Sequence, residues 1–136
     1  MMKILQPPGW AKPKGFSNGI AVKGGTTVFV AGQVAFDSGN TIQERTFAGQ
    51  FRQTLKNTLA VLAQAGARPE HIVRMTWYVT DKREYLGAIR EVGAAWRDLM
   101  GRHYPAMAVV QVGALIEDAA KVEIETTAVV PEADPS

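Results

Sequence analysis

The chain contains no cysteine, which excludes disulfides, thiolate metal sites and a thiol nucleophile. Histidine is scarce: His71 and His103 are the only two, and neither has a ligand-type partner at helical spacing, so no metal site is assembled locally. Both read as solvated or capping side chains; a catalytic pair for RNA cleavage would need the fold to bring them together. No run approaches the ~18 apolar residues of a membrane span, and Met1 to Gly15 lacks the apolar stretch of a secretory leader. The expectation is a cytoplasmic protein without a membrane segment. Charge of either sign is not in excess. Fifteen Lys and Arg stand against thirteen Asp and Glu, a net of +2, and the basic residues are scattered, too weak a footprint for nucleic-acid binding.

What is present reads as one domain, 1–136. A chain of 136 residues with 46% hydrophobic content can bury its own core, and no internal repeat divides it. Residues 1–15 are dense in Pro and Gly from Gln6 onwards and should be extended or looped. Two short apolar runs, Gly19 to Lys23 and Thr27 to Ala31, flank Gly24-Gly25, the spacing of a tight hairpin. Asp37-Ser38-Gly39-Asn40 is a second turn cluster.

From Thr46 the period changes. Phe47, Phe51, Leu55, Leu59 and Leu62 recur at helical spacing, with Gln50, Gln53, Lys56, Asn57 and Gln64 off the stripe and Gly66 as the stop. Ile72 to Thr80 is rich in β-branched and aromatic residues and predicts a strand. Leu86, Ile89, Val92, Trp96 and Leu99 predict one helix from about Tyr85 to Met100, stopped by Gly101. Ala106 to Val112 and Lys121 to Val130 predict the last two strands, and 131–136 a frayed tail. The order β-β-α-β-α-β-β points to an α+β layer, one sheet with both helices on one face. The bare face needs covering, and copies of the chain would cover it in a closed oligomer with interface pockets.

Three features bear on chemistry. Gly32, at a strand end, lets a ligand approach bare backbone, whereas Gly24-Gly25 lacks the strand-to-helix context of a phosphate loop. Trp77 and Tyr78 alternate across a strand, so one faces the helices and the other an interface or a pocket. Glu123 is the strongest candidate. It falls amid Val122, Ile124 and Val109 in a strand expected to be largely buried, where desolvation would raise its pKa and suit it to handle the proton of a water. Its structural alternative is an ion pair with Lys121 or with a neighbouring subunit.

The stretch Pro105-Ala106-Met107-Ala108-Val109-Val110-Gln111-Val112-Gly113-Ala114-Leu115, followed by Lys121-Val122-Glu123-Ile124-Glu125, resembles the signature of the RidA/YjgF/YER057c family, also labelled endoribonuclease L-PSP. Gly19-Ile20 leading to Phe29-Val30-Ala31-Gly32-Gln33-Val34, Gln53 to Gly66, and Ile72 to Asp81 are similar to further family segments. The resemblance implies a chorismate-mutase-like fold of the bacillary type, with a roughly six-stranded sheet and two helices on one face. It also implies a homotrimer with small-molecule clefts between subunits, and imine or enamine hydrolysis to a 2-keto acid without cofactor or metal. An arginine would anchor the substrate carboxylate and a glutamate would position the water. This chain keeps the glutamate as Glu123 and a pocket glycine as Gly32. It departs at the arginine (Met107), at a small hydroxyl residue (Ala31), at a loop tyrosine (Phe16) and at a frequent cysteine (Val109); Arg90 stands where a helix asparagine is common. A thioether cannot grip a carboxylate as a guanidinium does. Three functions follow as alternatives: a deaminase-type hydrolase of altered specificity, a non-catalytic ligand-binding trimer, and, with least support, an RNA-cleaving translation inhibitor.

Overall fold

Thr46 starts the longest helix, α1 (Phe47–Ala63): its hydroxyl accepts a hydrogen bond from the Gly49 N–H at 3.0 Å, satisfying one of the free donors of the first turn. Loss of this cap in a Thr46→Ala variant is expected to cost about 1 kcal/mol. In urea titrations it should lower the midpoint without changing the slope.

The computed structural model describes residues 2–132; residues 133–136 of the expected tail lie outside them. Besides α1, the chain forms β1 (Met2–Leu5), β2 (Gly19–Val22), β3 (Thr26–Gln33), β4 (Ile72–Val79), α2 (Lys82–Gly87), α3 (Ile89–Met100), β5 (Ala106–Gln111) and β6 (Val122–Val130), with a 3₁₀ turn at Pro69–His71. The class is α+β, as read from the element order.

The sheet differs from the expected one. The described residues form a four-stranded sheet in the order β3-β6-β4-β5 and a separate ribbon of β1 with β2, rather than one sheet of about six strands. The anticipated hairpin between β2 and β3 does not form: β2 pairs antiparallel with β1, and β3 with β6. The pairing follows burial, because Val28 and Val30 are set against Ala128 and Thr126 on the core side. Gly24 and Gly25 both have positive φ, +74° and +85°, and a Cβ on Gly25 would lie 2.5 Å from the Val130 carbonyl oxygen. That glycine serves the close passage of the last strand. The two C-terminal strands are likewise not partners. β4 lies between them, antiparallel to β6 and parallel to β5, and the parallel pair is joined by the α2–α3 crossover that such a connection requires.

Helix α1 lays Phe51, Leu55 and Leu62, all fully buried, against Ile72, Met75, Val122 and Ile124. Gln50, off the apolar stripe in sequence, is also buried. Its amide donates to the Glu44 and Ala119 carbonyls and accepts from the Lys121 N–H, pinning the loop that leads into β6. The single helix expected from Tyr85 to Met100 is two. Asp81 caps α2 through the Arg83 and Glu84 N–H groups, and Ala88, at φ −103° and ψ 13°, breaks the chain before α3. The opposite face of the sheet carries Phe29, Ala31, Arg74, Thr76, Glu125 and Thr127 around an open depression of about 580 Å³. Phe29 is 79% exposed there.

Candidate functional site

Strand parity sorts the candidate residues. On β4, Met75, Trp77 and Val79 are buried towards the helices, and parallel pairing sets Met107 and Val109 beside Met75 and Trp77 on that same face. On β6, Val122 and Ile124 face the helices, so Glu123, paired with Tyr78, projects from the open face. Met107 and Glu123 therefore stand on opposite faces within one chain. The expectation that Val109 neighbours Glu123 does not hold.

On the helix side, at the β5 edge, is a cleft of about 490 Å³ lined by Phe16, Trp77, Tyr85, Trp96, Tyr104 and Met107, with Val109, Ile89, Gly93, Lys14 and Arg97 among the remainder. Its floor is a run of rings: Trp77 lies 5.8 Å from Trp96 between centroids, and Trp96 stacks on Tyr104 at 6.2 Å with 11° between planes. Phe51 backs Trp77 at 4.7 Å. The Trp96 indole N–H donates to the His103 carbonyl, while the Trp77 indole N–H is buried without a partner, an omission that typically costs about 1–3 kcal/mol. Burial pushes the Tyr85 phenol above its ordinary pKa. The Phe16 loop is anchored to β5: the Ser17 N–H donates to the Pro105 carbonyl at 3.0 Å and its hydroxyl to the Tyr104 carbonyl at 2.5 Å.

At the other edge strand, β3, the ladder to β6 is irregular between Val30 and Gln33. A Cβ on Gly32 would fall on the Glu123 carboxylate, overlapping Oε2 and lying 2.9 Å from Cδ. The glycine makes room for the glutamate itself. Glu123 is half-buried, less enclosed than the sequence led one to expect. Lys121 is not its partner, because the Lys121 ammonium pairs with Glu84 at 2.6 Å. Next to it Tyr78 donates to Glu125 at 2.6 Å, a bond that raises the phenol pKa. Trp77 thus takes the helix and cleft side and Tyr78 the open side.

The candidates form two groups: Phe16, Met107 and Val109 in the cleft, and Ala31, Gly32 and Glu123 at the β3 edge. Arg90 joins neither; it is exposed and absent from the cleft wall. Arg97 supplies the cleft with a cation instead, two turns further along α3. The repeat Ile89, Gly93, Arg97 at intervals of four residues was the available signal. His71 accepts from the Arg68 N–H through Nδ1, and His103 Nε2 lies 2.6 Å from the Ile72 carbonyl oxygen; both are tied to backbone and neither lines the cleft. Among the described residues, no group of three His, Asp or Glu is placed to hold a metal ion, and no helix is long and apolar enough to cross a membrane.

Residues 11–130 match the family described as Endoribonuclease L-PSP. This chain belongs to the RidA/YjgF family. A RutC family protein of Synechocystis sp. is 32% identical over 142 residues, covering 96% of this chain and 98% of that one. The 2-iminobutanoate/2-iminopropanoate deaminase of Salmonella typhimurium is 31% identical over 108 residues, covering 77% of this chain and 80% of the enzyme. The crystal structure of YyfB from Yersinia pestis, a Rid-family protein of unknown function, superposes with a TM-score of 0.84 at 27% identity, covering 95% and 98% of the two chains. RidA/YjgF relatives thus include reactive intermediate deaminases, and this Rid chain shares their α+β fold.

Proposed function

We propose that this Rid protein is a cofactor-free hydrolase of C=N bonds in imine or enamine metabolites, working as a homotrimer whose clefts lie between subunits. The observation that carries the reading is the split of the site between the two edges of one sheet. β3 bears Gly32 beside Glu123, and β5 bears Met107 and Val109 facing the aromatic cleft. In a closed ring the β5 edge of one copy meets the β3 edge of the next, and each shared cleft then holds both halves. The same assembly covers Phe29 and the rest of the open face.

In such a cleft Glu123 takes a proton from water as the water oxygen bonds to the imine carbon and the π pair moves to nitrogen. Glu123 returns that proton to nitrogen, giving the carbinolamine; it then takes the hydroxyl proton and hands it to the amine as the oxygen pair forms C=O and the C–N bond breaks, so that ammonia leaves a carbonyl product. Met107 shapes the specificity. Truncating one partner of a desolvated charge pair costs roughly 2–5 kcal/mol, or ~30- to 4,000-fold in affinity, so small imino acids that depend on a cation at that position are expected to be poor substrates. Met107→Arg should restore part of that activity, measured as ammonia release from 2-aminoacrylate generated in situ; no gain would assign equal weight to Phe16 and Ala31.

The test of the proposal is ammonia release by the unmodified protein from 2-aminoacrylate and from aminomuconate, with its mass measured in solution. Rates equal to the buffer blank on both substrates would favour the non-catalytic ligand-binding trimer, and a monomer at working concentration would remove the shared cleft.

A further inference from the structure

The cleft wall carries two cations, Lys14 on the loop before Phe16 and Arg97 on α3, and Arg97 is the one on the helix that forms the wall. Among the described residues it makes no ion pair, and its guanidinium lies back over Gly93, where a Cβ would stand 3.3 Å from Nη1. A side chain at Gly93 would press on the guanidinium, which would have to give by a few tenths of an ångström. The small residue and the cation sit one turn apart on the face of α3 that lines the cleft. Below them the floor is aromatic rather than polar: Trp77 is tilted against Trp96, Trp96 stacks on Tyr104, and Phe16 stands partly exposed at the rim. The buried Trp77 N–H in that floor has no acceptor. Where the family resemblance places a carboxylate anchor, on β5, this chain has the apolar Met107.

Charge at the rim and rings below select a guest with a carboxylate at one end and a planar apolar group at the other. We propose that this cleft is a specificity pocket for aromatic 2-imino acids and their 2-keto products, with the Arg97 guanidinium receiving the carboxylate and the Trp77–Trp96–Tyr104 floor receiving the ring. The inference rests on the Rid-type reading above and moves the anchoring charge from strand to helix. The carboxylate is held from the α3 side, so the aromatic group, rather than the acid group, lies against Met107.

The test is binding of phenylpyruvate, pyruvate and phenylacetone to the full-length protein by isothermal titration calorimetry. None of the three carries a hydrolysable C=N bond, so the outcome is independent of whether Glu123 is catalytic. Phenylpyruvate is expected to bind roughly 10- to 100-fold more tightly than pyruvate, from burial of the ring. Arg97→Met should weaken phenylpyruvate by ~10-fold and leave phenylacetone unchanged. Arg97→Lys should recover part of the loss, and Arg83→Met, a change on the exposed side of α2, should have no effect. Equal affinity for phenylpyruvate and pyruvate would overturn the aromatic pocket. Unchanged phenylpyruvate binding in Arg97→Met, with an unaltered melting curve, would overturn the anchor.

Discussion

Glu123→Gln is expected to slow ammonia release by ~10²–10⁴-fold, the contribution of one positioned proton-transfer group, while leaving the melting temperature within a degree or so. Glutamine keeps the shape and the hydrogen-bonding capacity of the side chain but cannot accept a proton from water. The carboxylate it replaces is held by no ion pair or hydrogen bond among the described residues, because Lys121 belongs to Glu84 and the neighbouring phenol of Tyr78 to Glu125. Little structure therefore depends on its charge. The measurement is a steady-state ammonia assay on both proteins, with thermal unfolding in parallel. A variant as active as its parent would show that the glutamate at the β3 edge is a bystander. A variant that is inactive and also unfolded would show a structural carboxylate instead.

Phe51→Ala is expected to produce the largest loss of stability, about 3–5 kcal/mol, read as a fall of the melting temperature by roughly 10–20 °C. Phe51 is fully buried, packs on Trp77 at 4.7 Å and belongs to the core shared by α1 and the central strands. Its removal leaves a void directly behind the cleft floor. The same variant should lose affinity for an aromatic ligand, since Trp77 no longer has a rigid backing. A loss of stability below about 1 kcal/mol, measured by chemical denaturation, would show that the helices and sheet repack around the void.

The sequence carried the local elements further than their partners. The apolar repeat of Phe47, Phe51, Leu55 and Leu62 located α1 because one helix face is a property of neighbouring residues. Alternation in β6 likewise put Glu123 and Val122 on opposite faces. Strand partnership is a non-local property. Gly24-Gly25 looks like a hairpin turn in either arrangement, and nothing near it records that β3 pairs with β6 instead of β2. The break at Ala88 leaves no mark in the apolar pattern, because Leu86, Ile89, Val92 and Trp96 keep a helical rhythm across it, although Leu86 is 56% exposed. The site suffered most. Within one chain the order β3-β6-β4-β5 puts Met107 and Glu123 on opposite faces of the sheet, a separation that the spacing of the two segments along the chain does not record. A gap-free count along the chain points to Arg90 but does not say which turn of the helix looks into the cleft, and that turn carries Arg97.

The position of β6 has a consequence for how the protein is made. It is the last strand among the described residues, yet it lies in the interior of the sheet, paired with β3 on one side and β4 on the other. Until the ribosome has delivered it, β3 has no partner in the ladder and β4 has only β5, so the four-stranded sheet cannot close before β6 is made. Completion of the core sheet therefore waits until residues 122–130 have emerged. Messages cut short before codon 122 should yield aggregates, even though they encode every helix.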